Sequence, residues 1–214
     1  MPTITTPTVN WASYAASIST NLFVSNIFTN YNYGQSTTQP LNGKINRNND
    51  IFYYKDNQLH REDGPAVEYS TGEKEWWING LQHRIGGPAK EMLNHQEWYM
   101  DGLLYREDGP ALIGPGFEEW YFKGKCHREN NLPAKIHLTL KQWYVHGKLH
   151  RTDGPARENS EQREWWINGK RHREDGPAIE YININVKEWW YNNRQRHVKS
   201  QQEFERWIFA DKLL

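Results

Sequence analysis

The stretch Glu75-Trp76-Trp77-Ile78-Asn79-Gly80 returns residue for residue as Glu164-Trp165-Trp166-Ile167-Asn168-Gly169, and each copy runs on into a His-Arg pair and then Gly-Pro-Ala. Self-similarity at a fixed period restricts a chain to architectures in which one supersecondary unit stacks on the next, so it outweighs any local propensity. Between these copies the pattern recurs with first aromatics Trp98, Trp120 and Trp143, and outside them with Tyr53 and Trp189, giving about seven units of about 22 to 23 residues. Seven residues after its aromatic, each unit places His60, His83, Tyr105, His127, His150, His172 or Arg196.

Asn-Gly, Asp-Gly, Lys-Gly, His-Gly or a weaker equivalent lies between the two. Such pairs flanked by strand-like residues mark two-residue hairpin turns, because both central residues need positive φ. A loop at Asn79-Gly80 sets Ile78 opposite Leu81, Trp77 opposite Gln82, Trp76 opposite His83 and Glu75 opposite Arg84. The same register pairs Glu97 with Arg106, Glu119 with Arg128 and Glu164 with Arg173. The Asp-Gly-Pro-Ala that follows predicts a second bend, with an Asx turn at Asp, positive φ at Gly and loss of ladder donation at Pro.

The fold class that follows is all-β, an elongated twisted antiparallel sheet of tandem hairpins over residues 44–199. Residues 1–43 form a different segment, without one charged residue and rich in Ser, Thr and Asn. Within it Trp11, Ala15, Ile18 and Leu22 stand at helical spacing behind Asn10, a possible N-cap, as compatible with a helix as with a polar tail. Residues 200–214 predict a capping helix: Ser200 and Glu203 have capping-box spacing, with Phe204, Trp207, Ile208 and Asp211 at helical intervals. Such a helix would cover the last strand of an open sheet, whose unpaired backbone otherwise invites association.

The repeat resembles the MORN (membrane occupation and recognition nexus) unit, which has this length, an aromatic strand, an Asn-Gly-type turn and a glycine-bearing second strand. It is most similar to a divergent His-Arg-x-Asp-Gly-Pro-Ala version found in proteins of large DNA viruses, bacteriophages and some bacteria, over roughly residues 51 to 199. The resemblance implies a binding or scaffolding role, in the host cytoplasm for a viral protein. Pro-Ala after Asp-Gly departs from the usual MORN glycine pattern, so lipid binding does not carry over.

Composition narrows the function classes. A formal net charge of zero provides no global field toward nucleic acid or an anionic membrane. The single cysteine, Cys126, closes no intramolecular disulfide, which suits a reducing compartment. No run approaches the roughly 18 apolar residues of a membrane span, and the first residues lack the pattern of a signal peptide, so the expected location is the cytoplasm. Eleven tryptophans in a chain of mean hydropathy -0.98 are accounted for by the repeat itself.

The pair His-x-x-Asp in His60/Asp63, His150/Asp153 and His172/Asp175 has the residue types of a base and its orienter. A catalytic pair is needed once, however, and this one recurs with the turn and gives way to Tyr105 or Gly86, which makes it structural. Equivalent histidines should recur every roughly 10 Å, too far apart to share a metal ion. No phosphate-loop, nucleophile-elbow or metal-ligand spacing is present, so no cofactor or metal is expected.

Strand alternation sends Trp76, Trp98, Trp120, Trp143 and Trp165 to one face together with Ile78, Met100, Phe122, Val145 and Ile167, the expected inner side. Trp77, Tyr99, Tyr121, Tyr144 and Trp166 then belong to the outer, partner-binding face, where Trp, Tyr and Arg suit protein recognition. Asn130-Asn131-Leu132 brings one extra residue in place of Asp-Gly, and Gln142 replaces the usual Glu, so Asn130, Asn131 and Gln142 join the partner-binding set as a bulge-centred patch. The expected function is a non-catalytic protein-interaction scaffold or inhibitor. The alternatives are a carbohydrate module with stacked Trp and Tyr platforms and an enzyme with its site near Cys126, Asn130 and Asn131.

Overall fold

The computed structural model describes residues 40–213. The segment around Asn10, Trp11, Ala15, Ile18 and Leu22 lies outside the described residues. From Pro40 onward the chain forms one unit, mostly strand, with a single helix among the described residues. A long antiparallel sheet of 16 short strands runs from Gly43–Arg47 to Arg194–Arg196, and neighbours in sequence are largely neighbours in the sheet.

The tight turns have the backbone their sequences demand. Asn79 and Gly80 have φ of 48° and 74°, Asp101 and Gly102 50° and 76°, Asn168 and Gly169 51° and 77°. The register is the expected one over the hairpin: Ile78 opposes Leu81, Trp77 opposes Gln82, and the His83 N–H donates to the Trp76 carbonyl at 3.1 Å. One residue earlier the strand changes partner. Glu75 does not face Arg84 but lies in the long sheet between Val67 and Lys90, and likewise Glu97, Glu119 and Glu164 face long-sheet residues rather than Arg106, Arg128 and Arg173.

The cause is the alanine of Gly-Pro-Ala. The N–H groups of Tyr53, Trp76, Trp98, Trp120, Trp143 and Trp165 donate to the carbonyls of Ala66, Ala89, Ala111, Ala134, Ala156 and Ala178 at 2.7 to 2.8 Å. Each of these alanines is 0% exposed, leaving no room for a larger side chain. In the five interior units the chain therefore leaves the long sheet at the first Trp and continues as a separate two-stranded hairpin. Hairpins are joined along their row by pairs of backbone bonds, such as Gly102 N–H to Gln82 C=O at 2.9 Å and Arg84 N–H to Tyr99 C=O at 3.3 Å. In the last unit Val186–Tyr191 stays one continuous strand.

One row of side chains crosses nearly the whole long sheet through directly opposed residues: Val67, Glu75, Lys90, Glu97, Leu112, Glu119, Lys135, Gln142, Arg157, Glu164, Ile179 and Glu188. Glu75–Lys90, Lys90–Glu97, Glu119–Lys135 and Arg157–Glu164 are directly opposed opposite charges, and each such pair contributes roughly 0.2 to 1 kcal/mol. A slip by one residue would turn the row to the other face, so it fixes the register of the array.

The closing helix, α1, spans Gln201–Lys212 and starts as its sequence predicts. The Ser200 hydroxyl accepts from the Glu203 N–H at 3.3 Å, and the Glu203 carboxylate accepts from the Lys199 N–H at 2.9 Å. Phe204 and Ile208, 0% and 5% exposed, pack with Tyr191, Trp189 and Val198 against the last hairpin.

Candidate functional site

The repeated motif is consumed by its own architecture. Each arginine that follows the His position lies over its unit's first aromatic, with guanidinium carbon to ring centroid of 4.0 Å for Arg61 on Tyr53, 3.7 Å for Arg84 on Trp76, 4.1 Å for Arg106 on Trp98, 3.6 Å for Arg128 on Trp120 and 4.0 Å for both Arg151 on Trp143 and Arg173 on Trp165. Nη1 donates to the proline carbonyl of Gly-Pro-Ala, as in Arg173 to Pro177 at 3.2 Å. Nε donates to the motif Asp at 2.8 to 2.9 Å in Arg61–Asp63, Arg106–Asp108, Arg151–Asp153 and Arg173–Asp175. The guanidinium holds those four carboxyls below their ordinary range, with Asn131 adding the largest share at Asp153.

This contact corrects the reason for the motif glycine. Gly64, Gly109, Gly154 and Gly176 do not adopt positive φ; a Cβ on them would stand 2.7 to 3.0 Å from the arginine Cζ. Glycine is there for close approach.

The histidines bind forward to the next unit. Nδ1 of His60, His83, His127 and His150 accepts the N–H of the next turn, from Asn79 at 3.1 Å, Asp101 at 3.3 Å, His146 at 3.3 Å and Asn168 at 3.1 Å. The motif His and Asp thus have separate partners and do not form a base and orienter. His95 and His137 lie on the long-sheet carboxylates, His95 Nε2 at 2.8 Å from Glu97 and His137 Nε2 at 2.6 Å from Glu119.

The second aromatics occupy the face opposite to the one sequence alternation assigns them. Trp77 Nε1 donates to Glu75 at 2.8 Å, Tyr99 OH to Glu97 at 2.6 Å, Tyr121 OH to Glu119 at 2.8 Å and Trp166 Nε1 to Glu164 at 3.0 Å, while Gln142 Nε2 donates to Tyr144 OH at 3.4 Å. Around them Glu75, Gln82, Glu119, Cys126 and Glu164 are 3% to 8% exposed, whereas Leu81, Leu103, Phe122 and Val145 on the other face are 37% to 50% exposed. The second-aromatic face of the hairpin row is therefore a covered one, while the first tryptophans lie half-buried beneath their arginines, with Trp143 6% exposed. The strand leaves the long sheet at each first Trp, and the second aromatics then supply donors to the buried long-sheet carboxylates alongside Tyr69, His95, Lys135, His137 and Arg157.

The densest part of this inner row surrounds Glu119. Burial works to raise its carboxyl, but hydrogen bonds and charge from His137, Lys135 and Tyr121 outweigh it and bring the pKa down to about 2. Burial and the Glu119 charge push the Tyr121 phenol well above its ordinary range. Burial pushes the neighbouring Cys126 thiol up to about 12, which keeps it protonated and a poor nucleophile.

Asn130 and Asn131 are on the other side. Their φ values of 59° and 54° close a turn from Glu129 to Leu132, and the ladder next to it is intact, with Trp120 N–H to Ala134 C=O at 2.7 Å. The extra residue is absorbed in this turn and makes no ladder bulge. Its consequences are local: Asn131 C=O accepts from Trp143 Nε1 at 3.0 Å, the Asn131 amide binds Asp153, and Leu132 is 45% exposed. Arg128, facing Asn130 instead of Asp, has Pro133 as its hydrogen-bond acceptor and no carboxylate ion pair among the described residues. The His127 and His146 rings stack beside it with centroids 4.5 Å apart.

Two shallow depressions of about 420 and 360 Å³ adjoin here, sharing His127, Arg128, Glu129, Asn130, Leu132 and His146. Tyr121 contributes to the first and Tyr144 to the second, while Trp77, Tyr99, Gln142 and Trp166 contribute to neither. Sequence reasoning saw Leu132 and His146 in or beside the irregular stretch without assigning them to the site, and missed Arg128. The available signal was that the insertion removes the acidic partner of one arginine while keeping its tryptophan.

Compared with protein-family models, curated proteins and solved structures, the chain matches none. No helix among the described residues is long and apolar enough to cross a membrane.

Proposed function

We propose that this chain is a non-catalytic protein-binding scaffold, a MORN-like array in which the shared residues build the rod and the irregular units of Trp120 and Trp143 supply the partner site. The observation that carries this is the contrast at Arg128: four other units tie their arginine to the motif Asp, whereas here the guanidinium makes no carboxylate ion pair among the described residues, beside an exposed Leu132 and two adjoining depressions. An aromatic, an arginine and an aliphatic side chain on a concave surface are the makings of a protein hot spot. Asn130, Asn131, Tyr121 and Tyr144 stay in the proposed site, and Arg128, Leu132 and His146 join it. Trp77, Tyr99, Gln142 and Trp166 are placed in the framework, since they line neither depression.

Sugar stacking is the weaker reading, because each first aromatic already carries an arginine over its ring. A cytoplasmic setting belongs to the same proposal, resting on the unpaired thiol. The test replaces Glu129 through Pro133 by Glu-Asp-Gly-Pro and places a photo-crosslinking residue at Leu132 of the unaltered chain. A protein cross-linked at Leu132, purified, should bind the unaltered chain and lose affinity for the regularised one. Equal affinity for a well-folded regularised variant would sink the proposal.

A further inference from the structure

The hairpin tips carry an uncompensated charge that the sum of the chain conceals. Four successive tips read Phe122-Lys123-Gly124-Lys125, Val145-His146-Gly147-Lys148, Ile167-Asn168-Gly169-Lys170 and Tyr191-Asn192-Asn193-Arg194, without one acidic residue. Arg194 is tied to Asp211 of the closing helix. Lys123, Lys125, Lys148 and Lys170 are exposed, and none makes an ion pair among the described residues, although most arginines of the array do.

The lysines are also held in line. An added Cβ on Gly147 would stand 3.8 Å from Lys125 Cβ and one on Gly169 3.6 Å from Lys148 Cβ, so each stem lies across the next turn. Two strands separate equivalent tips, which spaces Lys125, Lys148 and Lys170 by roughly 10 Å. Toward the N-terminus the same edge turns apolar, with Leu81 and Leu103 49% and 50% exposed at the positions the lysines occupy later.

We infer that this edge is a second interaction surface, adjoining the Arg128 depressions at Phe122, Val145 and His146 but centred on the lysines that line neither of them, and that its partner is an acidic polypeptide segment. Carboxylates at every third residue of a polyproline II segment, or every seventh of a helix, recur on one side at roughly 9 to 10 Å and meet the three tips in turn. The aliphatic continuation favours a polypeptide over nucleic acid, since Leu81 and Leu103 offer neither charge to a phosphate nor a ring to a base.

The test is fluorescence anisotropy on the full chain with a labelled oligo-glutamate peptide long enough to span the three tips, and with an oligothymidylate of equal length. The peptide should bind, weaken as salt rises, and lose about tenfold or more in affinity to the Lys125→Glu, Lys148→Glu, Lys170→Glu triple variant. Lys44→Glu, on the far edge strand, should leave binding unchanged, and matched thermal melts show that the triple variant is folded. Absence of peptide binding, a triple variant that binds as wild type, or tighter binding of oligothymidylate would each overturn the inference.

Discussion

Replacing Gly176 by alanine tests why glycine stands in the motif. Its Cβ would lie 2.7 Å from Arg173 Cζ, so the guanidinium must leave its place 4.0 Å above Trp165 and give up Pro177, 3.2 Å away. The ring contact is worth roughly 0.5 to 2 kcal/mol and the charged bond to the carbonyl roughly 1.5 kcal/mol. Asp175 is 84% exposed and adds little after solvent screening. Gly176→Ala should thus cost about 2 kcal/mol, a fall in Tm of roughly 4 to 8 °C by calorimetry. Arg173→Ala should cost a similar amount. In the Arg173→Ala background the alanine at 176 meets no guanidinium and φ there is not positive, so it should cost nothing or stabilise by about 0.5 kcal/mol. Additive losses in the double variant would refute the contact and point to backbone strain instead.

Three further outcomes follow. Lys123 sits at φ 48° in a turn that asparagine closes elsewhere, and Lys123→Asn should raise stability by roughly 0.5 to 1 kcal/mol; an unchanged or lower denaturation midpoint would count against it. The Glu119 carboxyl is depressed to about 2 when folded, so its contribution is present above the ordinary carboxylate range near pH 4.5 and is lost as pH falls toward 2; Glu119→Gln should flatten that part of the stability-versus-pH curve, and an unaltered slope would contradict the assignment. Deleting residues 200–214 exposes Tyr191 and the Arg194–Arg196 strand, and light scattering should show association, whereas a monodisperse monomer would deny the covering role of α1.

What was legible in the sequence rests on local rules. The period, the turns at Asn79-Gly80 and its equivalents, and the Ser200 cap follow from residues a few positions apart, and the structure has them all. The facing of Trp76 and Trp77 was not legible, because alternation assumes an uninterrupted strand. Here Trp76 bonds to Ala89 in the Gly-Pro-Ala of its own unit, and the strand on its far side is two residues long. The Glu75–Arg84 pair failed for the same reason, the arginine folding back over its own tryptophan. For Gly176, turn chemistry suggested positive φ, while the recurrence of Gly three residues after Arg was the pattern that held the answer. At the candidate site, the irregular stretch Asn130-Asn131-Leu132 was visible, but which face it serves depended on a turn that takes up the extra residue outside the ladder.

Which face of the hairpin row is covered decides which side chains a partner can reach, and thiol labelling measures it directly. Cys126, 7% exposed with its thiol pushed up to about 12, reports the inner face; a cysteine at Leu103, 50% exposed in a Cys126→Ser chain, reports the outer. With a maleimide under native conditions the Leu103→Cys thiol should react at the rate of a free peptide thiol, and Cys126 should react slowly until the protein is unfolded. Fast native labelling of Cys126 with protection at position 103 would restore the face assignment of the alternation rule and contradict the inner row on which the account stands.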